Sequence, residues 1–154
     1  MDHCVTYKLD VTLIIAILRT MSDTKICESS HLEIWFSGDY GFIELLWKGL
    51  IPSTEFRELA AKILDALDKT GVNKILSDNT NWKIISQQDL GWAANRWFPK
   101  AEAKGVIKLG SVLSQDIFNR SAERTIDSLT EIESMKVRHF ESRQEAIYWL
   151  RESD

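Results

Sequence analysis

Residues 31–49 read HLEIWFSGDYGFIELLWKG, and their alternation decides the fold. Leu32, Ile34 and Phe36 alternate with Glu33, Trp35 and Ser37, the period of two that marks a strand buried on one face. Gly38-Asp39-Tyr40-Gly41 is turn chemistry, with glycines free to take positive φ. From Phe42 to Gly49, Ile43, Leu45 and Trp47 then alternate with Glu44, Leu46 and Lys48. Two such runs joined by a short Gly-bearing loop predict an antiparallel hairpin.

Downstream the period changes. Phe56, Leu59, Ala60, Ile63, Leu64 and Leu67 form one apolar stripe of a helix, opened by Pro52-Ser53-Thr54 and stopped at Gly71. Residues 72–77 read as a short strand, and Asp78-Asn79-Thr80-Asn81 as a loop rich in Asx chemistry. Ser86-Gln87-Gln88-Asp89 is a capping box for a helix that Phe98-Pro99 ends. Residues 106–113 read as a fourth strand. Asp116 caps a helix with Phe118, Ala122, Thr125 and Leu129 on one face, and residues 136–140 read as a fifth strand. Ser142-Arg143-Gln144-Glu145 opens a last helix carrying Ala146, Ile147, Trp149 and Leu150. The expected fold is α/β: a mixed five-stranded sheet, antiparallel in its N-terminal hairpin and parallel after it, flanked by about four helices. Residues 31–154 form the domain and residues 1–30 an N-terminal extension. For residues 1–20 two readings stay open: an upstream extension ahead of a start at Met21, or a short element docked on the domain.

Composition bounds the function. The 154 residues carry 19 Lys and Arg against 23 Asp and Glu, a net charge of −4, which argues against nucleic acid as a partner. Cys4 and Cys27 are too few and too close for a secreted disulfide framework, so the chain reads as cytoplasmic. The apolar run Val11–Leu18 is too short to span a bilayer, which needs about 20 residues. No Walker loop, G-x-S-x-G, G-x-G-x-x-G or H-E-x-x-H occurs. His3, Cys4, Cys27 and His31 lack the C-x-x-C spacing of a zinc site, so no metal is expected. His139, ahead of Phe140 in a strand, reads as structural.

The segments IELLWKGLI, KILSDNT, SQQDLGWAANRW, VIKLGSVLS and HFESRQEAIYWL together resemble the bacterial STAS-like group described as SpoIIAA-like, which is grouped with the CRAL-TRIO lipid-binding fold. The resemblance runs from about Leu32 to Leu150, and Phe140, Glu145-Ala146 and Trp149-Leu150 carry its most specific part. It implies a small cytosolic α/β domain without a cofactor that acts by binding or regulation. Anti-sigma-factor antagonists of this kind carry a phosphorylated Ser in an Asp-Ser-Ser-Gly-like turn right after the third strand. The matching turn here reads Ser77-Asp78-Asn79-Thr80 without a Ser-Gly pair. Thr80 and Ser86 are the hydroxyls near that place, and Ser86 also reads as a helix cap.

The expected site is the carboxyl edge of the third strand and the helix start beyond it: Asp78, Asn79, Thr80, Trp82, Gln88 and Trp92. Free N–H groups at a helix start suit an anion and tryptophans offer an apolar wall, so an amphipathic anion such as a fatty acid or phospholipid is the expected ligand. The other readings are a protein partner, a homodimeric adaptor, and an enzyme of unrecognised type using residues 78–80. Six tryptophans are many for this length; Trp47, Trp97 and Trp149 fit core stripes. Arg96, Lys100, Lys104 and Lys108 read as solvated surface.

Overall fold

The computed structural model describes residues 23–83 and 85–153. Six strands form one sheet in sequence order: β1 (Asp23–Glu28), β2 (Leu32–Ser37), β3 (Phe42–Gly49), β4 (Lys74–Trp82), β5 (Lys108–Val112) and β6 (Lys136–Phe140). β1, β2 and β3 pair antiparallel, and β3 to β6 pair parallel. The hairpin therefore stands as expected, with Leu32 opposite Trp47 and Ser37 opposite Phe42. Among the described residues the strand count is six rather than five. β1 lies within the stretch assigned to the extension, and its sequence DTKICE has only Ile26 and Cys27 as apolar residues. A register shift between Lys25 and Cys27 breaks its alternation, so no period of two betrays it. The readings of residues 1–20 lie outside the described residues.

Four helical stretches join and follow the parallel strands. They are α1 (Ser53–Thr70), the run α2 (Gln87–Trp92), π turn (Ala93–Trp97) and α3 (Phe98–Ala103), then α4 (Ile117–Leu129) and α5 (Arg143–Arg151). Neighbouring parallel strands in sequence order need crossovers of one hand, which puts all the crossover helices on one face. Side chains from α1 to α3 accordingly share one core with Ile34, Leu45, Ile75 and Leu109. α5 packs on the other face, where Ala146 and Leu150 meet Phe42, Leu76 and Val112. Glu44 on that face is buried, and Arg143 clamps it with Nε and Nη2 at 2.6 and 2.8 Å.

Five local expectations are corrected. Residues 78–81 are not a loop: β4 continues through them to Trp82, paired with β3 as Lys48 opposite Asn81 and Gly49 opposite Trp82. The second helical run does not stop at Pro99. The π turn shifts its hydrogen-bond frame, so Pro99 falls in the first turn of α3, where a missing N–H costs little. On α4 the buried face is Asn119, Ala122 and Glu123, whereas Phe118 is 77 % exposed. Lys108, read as solvated, is buried, with its ammonium donating to the carbonyl of Glu152 at 2.9 Å. Trp149 is only partly buried; Leu150 beside it is fully buried.

Candidate functional site

Between the parallel strands and the helices lies a cavity of about 100 Å³. Aromatic rings form much of its wall. Trp47 stacks on Trp82 with ring centres 4.6 Å apart, and Phe56 tilts against both at 5.8 and 5.7 Å. Trp97 and Phe98 extend the wall, and the Trp97 indole N–H is fixed by the Ala60 carbonyl at 2.9 Å. Such rings present apolar area with a negative π face.

One side of the cavity is polar. Leu45, Ser77, Ser111 and His139 are successive register partners across β3 to β6, a single rung of the sheet on the helix-covered face. A doubly covered parallel sheet ordinarily carries aliphatic residues there. The hydroxyls are tied into a chain: Ser77 Oγ donates to Asn79 Oδ1 at 2.8 Å, and Asn79 Nδ2 donates to Ser111 Oγ at 3.1 Å.

α4 lies over this rung. Asp116 caps it by accepting from the N–H groups of Phe118 and Asn119, and that start turns Asn119 and Glu123 toward the sheet. Asn119 braces the cavity rim, accepting from the Ile85 N–H at 2.9 Å and donating to the Trp82 carbonyl at 3.1 Å. Glu123 is 7 % exposed, and its Oε2 accepts weakly from the Ser114 N–H at 3.4 Å. Burial pushes its carboxyl up to about 7, against the pull of the Ser114 N–H, His139, Asn79 and Arg120. His139 Nε2 lies 2.9 Å from Asp127 Oδ2.

Three cavity-lining residues keep a buried polar atom with no hydrogen-bond partner: Oε1 of Glu123, Nδ1 of His139 and Nε1 of Trp82. Buried polar groups are nearly always paired, so three at one cavity call for an explanation.

The structure divides the six expected site residues. Asn79 and Trp82 line the cavity. Trp92 packs beside it, edge-on to Phe56 at 5.9 Å, with the Arg57 guanidinium over its ring. Asp78 and Thr80 alternate with Asn79 and so face the other side of the sheet, where Asp78 Oδ1 accepts from both the N–H and the hydroxyl of Thr80. Gln88 is exposed on α2. Ser86 caps α2 by accepting from the Asp89 N–H at 3.1 Å. Two features bear on an anionic ligand. The start of α2 already holds the buried carboxylate of Asp89, which accepts from Ser53 Oγ at 2.7 Å, and among the described residues no Lys or Arg lines the cavity. The volume also falls below the 300–1,000 Å³ of a drug-sized pocket, too little for a whole fatty acid.

Sequence reading missed Ser77, Ser111, Asn119 and Glu123 as site residues. The signal was present: in Ile75-Leu76-Ser77, Leu109-Gly110-Ser111 and Val137-Arg138-His139 a polar residue follows an aliphatic one at the strand period, on the same face. Among the described residues no group of three His, Cys, Asp or Glu side chains could hold a metal ion, and no helix is long and apolar enough to cross a membrane. No protein-family model matches the chain, and no curated protein or solved structure is significantly similar to it.

Proposed function

We propose that this chain is a non-catalytic binding domain, STAS-like in kind as its sequence resemblance implies, that takes a small amphipathic molecule into the cavity between the sheet and α1, α2 and α4 and acts in a regulatory role. The observation that carries the reading is the set of three unpartnered buried polar atoms beside an aromatic wall. A cavity with an apolar wall and a few convergent polar groups is the usual form of a small-molecule site. Size narrows the ligand. An apolar cavity of about 150 Å³ holds benzene, so by proportion about 100 Å³ holds about four non-hydrogen atoms. The occupant is a small molecule or the short end of a larger one.

Tryptophan fluorescence tests this, because Trp47, Trp82 and Trp97 line the cavity. n-Propylamine, 1-propanol and propionate, each titrated into the wild type, cover the three charge classes at this size. A saturable change with at least one of them, lost in Ala93→Leu with native circular dichroism, is the expected result; Ala93 lines the cavity, and the larger side chain fills it. Linear, unsaturable responses to all three, the same in the filled variant, would overturn the reading.

A further inference from the structure

We infer that the polar end of the occupant is an amine in its ammonium form, held by Glu123 and His139 at the floor of the aromatic cavity; this deepens the binding reading and rests on it.

The first ground is the chemistry of the unpartnered atoms. Glu123 Oε1 is a carboxylate oxygen and so an acceptor when ionised. His139 Nε2 faces the Asp127 carboxylate, which fixes the proton on that nitrogen and leaves Nδ1 of the neutral ring as a bare lone pair. Two buried acceptors without donors are what a group with several N–H bonds satisfies, and a primary ammonium has three. The third atom, Trp82 Nε1, is a donor and is left for water or for an acceptor elsewhere on the ligand.

The second ground is the charge balance of the enclosure. Among the described residues no Lys or Arg lines the cavity, while Glu123 does and is more than nine-tenths buried. The cation that bears on Glu123 is Arg120 on its own helix; the His139 ring, from β6, adds to it only when protonated. Arg120 is already paired with Glu141, and His139 with Asp127. A buried carboxylate without its own cation is costly, and an ammonium entering beside it removes that cost.

The third ground is the wall. Trp47, Phe56 and Trp82 are stacked or tilted within 6 Å of one another. π faces attract organic cations, tryptophan most strongly, and more so when water is excluded. A carboxylate at one end and aromatic faces around the rest select an alkylammonium over its neutral or anionic counterpart.

The experiment compares affinities, by amide chemical-shift titration at pH 8, for n-propylamine, 1-propanol and propionate. For a ligand of about four non-hydrogen atoms the best attainable Kd is about 10–100 µM. The expected result is that the amine binds at least tenfold more tightly than the alcohol, that propionate is weakest, and that Glu123→Gln loses at least tenfold for the amine and less than threefold for the alcohol. The glutamine keeps the shape, so the alcohol also reports that the cavity is intact. Equal affinities for amine and alcohol, or an amine affinity unmoved by Glu123→Gln, would overturn the ammonium assignment while the cavity still binds. No saturable shifts with any of the three would overturn both readings.

Discussion

Ser111 and His139 stand side by side on one rung of the sheet, register partners on β5 and β6 with both side chains on the helix-covered face. They do not serve each other: Ser111 Oγ accepts from Asn79, and His139 Nε2 faces Asp127. With Ser77 they make a buried polar rung where aliphatic packing would be more stable. A fold that keeps such a rung under a glutamate has a use for it, and ligand recognition is the use proposed above.

Glu123 makes stability depend on pH. Its folded pKa is raised from 4.5 to about 7 by burial. Between those values the folded protein holds a proton that the unfolded chain releases, so stability falls as pH rises through that window and levels off above it. Relative to Glu123→Gln, the wild type should lose up to about 3 kcal/mol between pH 4.5 and 7.5. Urea unfolding of both proteins across that range measures the difference. A constant difference would mean that Glu123 titrates normally.

The Glu44–Arg143 clamp joins residues 99 apart in the chain and fastens α5 to the sheet. Arg143→Met takes the bidentate guanidinium away from the buried Glu44 carboxylate. The expected loss is about 3 kcal/mol, the lower end for a broken buried pair, because the Arg143 side chain is 40 % exposed. Replacing both, as Glu44→Leu with Arg143→Met, should restore most of it. A double variant less stable than the single one would contradict this account.

Gly110 sets how closely α5 approaches the sheet. A β-carbon there would stand 3.6 Å from Ala146 and from Leu150, an ordinary contact, so Gly110→Ala should be tolerated. Gly110→Val brings further methyl groups into the same gap and should cost about 1–3 kcal/mol. Thermal unfolding of the pair checks the order.

On α5 itself, Leu150→Ala should cost about 2–5 kcal/mol, since Leu150 is fully buried against Gly110. Trp149→Ala should cost less, because its ring is only partly covered, by Phe140 and the Lys108 ammonium. The reverse order would place the tryptophan in the core.

What the sequence made legible follows from how strongly each element repeats its period. Residues 32–37 and 42–49 alternate at a period of two and residues 56–67 recur at helical spacing, and the hairpin and α1 lie where they predict. Asp78, Asn79 and Asn81 are turn-forming types, yet here they continue β4, because a paired neighbour strand overrides the local preference of those side chains. The face of α4 was misread for a related reason. Apolar spacing selects Phe118, Thr125 and Leu129, but the helix lies over a polar rung, and its inward residues are Asn119 and Glu123. A site that buries polar groups inverts the rule by which cores are read from sequence. That is also why Asn79 and Trp82 were found, and Ser77, Ser111, Asn119 and Glu123 were not.

The central claim is that the cavity itself takes the ligand, apolar end against the tryptophans and polar end at Glu123. Intermolecular nuclear Overhauser effects between n-propylamine and the protein test it most directly. The account predicts contacts from the propyl methyl to ring protons of Trp47 and Trp82, absent in Ala93→Leu. Contacts confined to exposed side chains such as Ile117 and Phe118, unchanged in the filled variant, would contradict it.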